Sequence, residues 1–168
     1  PKVVDFGAGS GALALSIATE LSKAKVTAVE RDSAAITWLQ RNVKRANMEL
    51  IHEIEIVSAD VADFDGKQSF DAVIANPPYI PDQQALPNEV IDFEPRAALF
   101  GGPEGLDAPR VFIGAGLRAL KPGGYLAIEH HEQHGEAIRE LLERSFQEVH
   151  LHYDLNGRAR FSSEVLKK

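Results

Sequence analysis

The chain has no cysteine, one methionine and one tryptophan in 168 residues. Without thiols it can form neither a disulfide framework nor a thiolate metal site, so a reducing compartment fits and the cytoplasm is the expected location. No apolar run approaches the roughly 20 residues that span a bilayer, and no charged-then-apolar segment opens the chain, so no membrane association is expected. Basic residues are the minority. With 18 Lys and Arg against 25 Asp and Glu the formal net charge is −7, which opposes attraction to phosphate backbones and disfavours direct nucleic-acid binding. Repeats, low-complexity tracts and internal linkers are absent as well. What is present is a hydrophobic content of 44%, enough for one domain and one core that buries roughly 70% of the unfolded surface. A monomer is the expected state. The opening Pro1-Lys2 runs directly into apolar Val3-Val4, so the sequence reads as a fragment of a longer protein.

Along the chain, strand-like runs alternate with helical periodicity. Residues 3–6, 25–30, 54–57, 70–75 and 125–129 read as strands. Residues 12–21 carry Leu13, Ile17 and Leu21 at helical spacing, and Ser33 is read as the cap of a helix reaching Ala46 with Ile36, Leu39 and Val43 on its buried face. Further helices are expected within residues 106–120 and around residues 136–144. This rhythm implies an α/β fold with a mostly parallel, doubly wound sheet. The last part differs: residues 148–155 and 158–165 flank Asn156-Gly157, which suits a two-residue type I′ turn and predicts an antiparallel hairpin closing the sheet. Class I methyltransferases that use S-adenosylmethionine have this Rossmann-like arrangement. The stretch from Asn76 to about Gly105 is long for a loop, the mark of a lid or binding segment.

Gly7-Ala8-Gly9-Ser10-Gly11 joins the first strand to the first helix. Glycines allow a tight turn and close approach of a ligand, and the helix start offers free N–H groups, so a nucleotide-like ligand is expected. Gly7, Gly9 and Ala12 also satisfy the loose dinucleotide pattern, so the loop alone does not choose between NAD and S-adenosylmethionine. Glu30, at the end of the second strand, is the expected acidic partner of ribose hydroxyls. Asp60, just past the third strand, is a weaker candidate near an adenine, while Asp63 and Asp65 read as loop charges.

Asn76-Pro77-Pro78-Tyr79 follows the fourth strand directly, where open α/β sheets put their ligands. An amide or aromatic amine nitrogen has its lone pair delocalised and attacks poorly unless its two N–H bonds are polarised. The Asn76 side-chain oxygen and the Pro77 backbone oxygen are placed to accept them, and Tyr79 to stack on the planar group. The prolines hold φ near −65° and push the preceding residue to extended backbone. A sulfonium already activates the methyl group, so alignment and a preformed polar site are expected to supply most of the rate.

Residues 3–11, Ala-Val-Glu at 28–30, Asn-Pro-Pro-Tyr-Ile at 76–80, Phe-Glu-Pro-Arg-Ala-Ala-Leu at 93–99, Glu-His at 129–130 and Asp-Leu-Asn-Gly-Arg-Ala-Arg at 154–160 together resemble the PrmC/HemK family. Members of that family methylate a glutamine side-chain amide in peptide chain release factors. The resemblance implies that the whole chain is the catalytic methyltransferase domain, without the family's N-terminal helical docking domain, and that a release factor is the protein substrate. It implies cofactor contacts at Gly7, Ala8, Gly9, Ser10, Gly11, Glu30, Asp60, Val61 and Asn76, and a substrate glutamine held by Asn76, Pro77, Pro78 and Tyr79, with Asn76, Pro77 and Tyr79 as the catalytic set. Asn-Pro-Pro-Tyr alone is shared with DNA and RNA amino-methyltransferases, which keeps an adenine or cytosine acceptor as the alternative. A silent cofactor-binding module is a third reading, against which the intact Asn-Pro-Pro-Tyr stands.

His131 stands where that family usually has glycine. The resulting cluster of Glu129, His130, His131, Glu132 and His134 is read as solvated or hydrogen-bonded rather than metal-binding, because adjacent residues of an extended segment point to opposite faces. Arg41, Lys44 and Arg45 are read as a solvated helix face. Glu94-Pro95 either orders a lid or starts a short helix.

Overall fold

The computed structural model describes residues 1–46 and 54–168. Seven strands, β1 (Lys2–Phe6), β2 (Lys25–Glu30), β3 (Glu55–Ser58), β4 (Phe70–Ala75), β5 (Leu120–Glu129), β6 (Phe146–Tyr153) and β7 (Ala159–Leu166), form one sheet in the order β3-β2-β1-β4-β5-β7-β6. The first five run parallel, and β7 inserts antiparallel between β5 and β6. The helices are α1 (Ala12–Glu20), α2 (Ser33–Ala46), the single turns α3 (Asn88–Ile91) and α4 (Arg96–Leu99), α5 (Asp107–Ala119) and α6 (Gly135–Glu143). The central strands are largely apolar because helices cover both faces, as a parallel sheet requires.

Two apolar clusters line those faces. Val4, Phe6, Leu126, Ile128, Ile138, Leu142 and Phe146 pack with α5 and α6, and Val3, Val26, Ala28, Leu39 and Val43 pack with α1 and α2. Complete burial of a side chain such as Leu39 or Leu126 contributes roughly 1.5–3 kcal/mol.

Several local readings are corrected. In α1 the residues against the sheet are Ala14 and Ala18, while Leu13 and Leu21 are exposed. Leu15 and Ile17 pack at the margin of the same cluster, partly buried. The cap of α2 is Asp32, whose Oδ1 accepts from Ala35 N at 2.8 Å, and Ser33 is the first helical residue. β5 begins at Leu120, not Tyr125: Leu120 pairs with Phe70, and a register shift absorbs the Lys-Pro-Gly-Gly segment as a bulge. The β6–β7 connection is not a two-residue type I′ turn. Asp154 N donates to Arg158 O and Gly157 N to Asp154 O, and of the loop residues only Gly157 has positive φ, +75°. That is a three-residue hairpin with its left-handed residue at glycine. The Asp154 carboxylate, accepting from Asn156 N and Arg158 N, supplies the order that Asn156 was expected to give. In the long loop, Pro95 immediately precedes α4, so Glu94-Pro95 starts a short helix.

Candidate functional site

β3, β2, β1 and β4 are neighbours, so the segments leaving their carboxyl ends lie side by side along one edge of the sheet. Asp60 and Val61 follow β3, Glu30 ends β2, residues 7–11 follow β1 and Asn76 follows β4. The four sequence motifs thus converge where open α/β sheets bind ligands.

The glycine loop is built for shape rather than for anion capture. Gly7, Gly9 and Gly11 have φ of +67°, +56° and +91°, a region that costs other residues energy. A Cβ on Gly11 would fall 2.3 Å from Leu39 Cδ1, whereas one on Gly9 would meet nothing nearer than Gly7 O at 4.0 Å, so the space in front of Gly9 is open. Gly7 N and Ala8 N both donate to Val29 O, Gly11 N donates to Ala8 O, and Gly9 N donates to Glu30 Oε2 at 2.8 Å. Four of the loop's own N–H groups are therefore spent inside the protein, while among the described hydrogen bonds the N–H groups of Ala12 and Leu13 at the helix start have no partner.

Glu30 is nearly buried. Its Oε1 accepts from Arg31 N and Asp32 N, each at 2.8 Å, and its Oε2 holds Gly9. Three of roughly four lone-pair sites are occupied, which fixes the carboxylate and leaves limited capacity for a ligand hydroxyl. Asp60 caps the turn at Val61–Asp63 through Ala62 N and pairs with Arg31 at 2.7 Å. The Ala62 N–H and Arg31 hold its carboxyl below the usual carboxylate range. Its first duty is structural, while Val61 is buried beside it.

The reading by motif left out Asp5, although it begins the glycine segment. It is 1% exposed on β1; Oδ2 accepts from Ala14 N in the first turn of α1, and Oδ1 has no partner. It replaces the cap that Gly11 has no side chain to provide. Burial pushes its carboxyl up to about 7, with nearby Glu30 adding to the rise and the Ala14 N–H opposing it. The signal was an acid inside an otherwise apolar central strand, which stays buried only for a reason.

Asn76 is exposed at the end of β4, while Pro77 is buried. The segment behind them is clamped. Ile80 N donates to Leu99 O, Gly101 N donates to Ile80 O, and Ile80 bridges to Phe100. Gly101 and Gly105 pack so tightly that a Cβ would lie 2.4 Å from Pro78 O and 2.3 Å from Tyr79 O respectively. Tyr79 is half-buried and donates its hydroxyl to Glu129 Oε1 at 2.8 Å. Burial, with Glu129 as hydrogen-bond acceptor and charge, pushes the phenol up to about 12, so it keeps its proton at neutral pH. Sequence reading placed Glu129 in the Glu-His motif and in the histidine cluster without a role at the acceptor loop, and its place at the carboxyl end of β5 was the signal.

Of the histidines, His130 is fully buried, with Nε2 3.1 Å from Ser162 Oγ and Nδ1 2.9 Å from His131 O. His134 is also buried, and its ring lies 5.1 Å from that of His131. Burial lowers both the His130 and the His134 imidazole from the ordinary value. Among the described residues no three His, Asp or Glu converge as a metal-holding group. No described helix is long and apolar enough to cross a membrane.

Several relatives are named release factor glutamine methyltransferase. That of Mycobacterium leprae is 35% identical over 167 residues, covering 96% of this chain and 57% of the relative. That of Geobacter sulfurreducens is 38% identical over 160 residues, covering 92% and 54%. The chain thus spans little more than half the length of these relatives. Among solved structures, a SAM-dependent O-methyltransferase from Thermotoga maritima matches with TM-score 0.72 at 18% identity, covering 99% of this chain and 59% of the other. TrmN from Thermus thermophilus matches with TM-score 0.68 at 20% identity, covering 99% and 44%. These likenesses show the fold of class I methyltransferases. Residues 1–98 match the methyltransferase small domain, and the chain belongs to that family.

Proposed function

We propose that this domain transfers a methyl group from S-adenosylmethionine to the side-chain amide nitrogen of the glutamine in the Gly-Gly-Gln loop of a peptide chain release factor. The observation that carries the cofactor choice is the Gly9 N–H held by the Glu30 carboxylate, which sets an acid against the loop. A dinucleotide's pyrophosphate needs positive potential, and the side chain beside this loop is a carboxylate. An adenosyl ligand bearing an ammonium and a sulfonium suits it. The open space before Gly9 would take its methionine part, Glu30 the ribose, and Asp60 with Val61 the adenine edge. When bound, S-adenosylmethionine supplies a methyl group activated by positive sulfur.

The acceptor is argued from Asn76. Its exposed side-chain oxygen and the Pro77 carbonyl would each take one N–H of a planar –NH₂ group, raising electron density on nitrogen; as the N–CH₃ bond formed the S–CH₃ bond would break with its electron pair left on sulfur, and the methylated nitrogen would lose one proton to solvent. Tyr79 is unsuited to move protons, since its own is held by Glu129. Glutamine is chosen over adenine or cytosine by the relatives' names and by the net charge of −7, which makes a polyanionic substrate costly. The domain itself is proposed to act as a cytoplasmic monomer.

The test is incubation of the domain with labelled cofactor and either a release factor or adenine-bearing DNA, with the label located by mass spectrometry. Label on the Gly-Gly-Gln glutamine supports the reading. Label on DNA with an untouched release factor overturns it at the level of substrate class.

A further inference from the structure

The Tyr79–Glu129 hydrogen bond joins the loop after β4 to the end of β5, and every element behind Glu129 is fixed. Ile128 pairs with Ala75 on β4 and with Ser162 on β7, Glu129 itself pairs with Phe161, and His130 N donates to Arg160 O. Arg160 is in turn held by Asp154 at 2.9 Å. Tyr79, by contrast, lies in a loop whose backbone is gripped only from the side of residues 99–105. The phenol oxygen is the one point at which its ring is tied to the sheet among the described hydrogen bonds.

Resting on the proposed glutamine methylation, we propose that Glu129 is a positioning residue: through the Tyr79 hydroxyl it sets the ring against which the acceptor amide lies. The hydroxyl is consumed as a donor, so Tyr79 offers the acceptor a planar apolar face. The acceptor's polar contacts are then left to Asn76, whose Oδ1 accepts and whose Nδ2 donates, and to the Pro77 carbonyl, which only accepts. Such a pocket suits a flat amide that presents both N–H bonds and a carbonyl oxygen. The charge of Glu129 is not required for this, only an oxygen at its place.

Kinetics on a Gly-Gly-Gln peptide test the assignment. Glu129→Ala and Tyr79→Phe should each raise KM about tenfold, the scale of one lost hydrogen bond to a charged partner, with a smaller fall in kcat. Glu129→Gln, whose amide oxygen still accepts, should recover most of that loss. The double variant Glu129→Ala with Tyr79→Phe should be no worse than the poorer single variant, since both remove one contact. An ultraviolet titration, with Tyr79→Phe subtracted to isolate this phenol, should give about 12 in the parent and a lower value in Glu129→Ala, which removes both the acceptor and the charge. A merely structural glutamate would not give a KM loss that Glu129→Gln rescues. Additive losses in the double variant, or no rescue by Glu129→Gln, overturn the assignment. If the parent methylates adenine-bearing DNA instead of peptide, the substrate reading falls, and the same ratios measured on that acceptor still decide the role of Glu129.

Discussion

Gly9 donates its backbone N–H to Glu30 Oε2 at 2.8 Å, so the loop after β1 and the acid that ends β2 are one unit. Glu30→Ala should therefore weaken the adenosyl cofactor and its demethylated product together. The expected loss is about 1.5–3 kcal/mol, roughly ten- to a hundredfold. Calorimetry reads it directly, and NAD should give no binding heat. Tight NAD binding with no response to the adenosyl ligand would refute the cofactor assignment.

Asn76 is exposed and bears no described side-chain hydrogen bond, so its amide is available to an acceptor and dispensable to the fold. Asn76→Ala should lower methyl transfer by something like 10²–10³, the scale of one preorganised polar contact to a transition state. Thermal unfolding should hardly change. Near-parent turnover would place the chemistry elsewhere.

Two glycines should respond in opposite directions to alanine. At Gly101 a Cβ would sit 2.4 Å from Pro78 O, so Gly101→Ala must displace the acceptor loop. A cost of about 1–3 kcal/mol in stability is expected, with loss of turnover. At Gly114, within α5, the nearest atom is Arg118 Nη1 at 3.9 Å. Gly114→Ala should stabilise by up to about 1 kcal/mol, because glycine loses more backbone freedom on folding. Urea melts of the pair decide the point: equal effects would mean that crowding behind Pro78 has been misread.

Glu164 on β7 is completely buried with neither carboxylate oxygen paired, and burial pushes it from 4.5 up to about 8. The folded protein keeps a proton that the unfolded chain releases, so this group's contribution is fully present below about 4.5 and is lost as pH rises through 8. Asp5 acts in the same direction up to about 7. His130 and His134 act in the opposite sense: burial holds them neutral, so they cost stability as pH falls below the ordinary imidazole range. Glu164→Gln should raise the melting temperature by about 5 °C at pH 8.5 and change it little at pH 5. The same gain at both values would show that Glu164 is not the titrating group.

The alternation of strand and helix, and the two loops that matter most, were readable from residue order because they rest on short-range rules. Gly7, Gly9 and Gly11 need left-handed or close-packed backbone, and Pro77 with Pro78 stiffens whatever precedes them. Even there, local chemistry misassigned partners. Asp32 rather than Ser33 caps α2 because it precedes the first helical turn with its carboxylate free to reach Ala35 N. Asp154 rather than Asn156 orders the hairpin because its side chain gathers the loop's N–H groups.

By itself the sequence determined that a doubly wound sheet would form, that glycine and Asn-Pro-Pro-Tyr segments would leave strand ends, and that an acid would end the second strand. These follow from periodicity and from backbone freedom, which act over a few residues. Only the tertiary structure decided what those groups are free to do. It showed Glu30 already holding Gly9, Asp60 already holding Arg31, and the Tyr79 hydroxyl already given to Glu129, fifty positions away along the chain. Hydrogen-bond capacity is finite, and which partner claims it is settled by the order of strands in space, a long-range choice that no local pattern encodes.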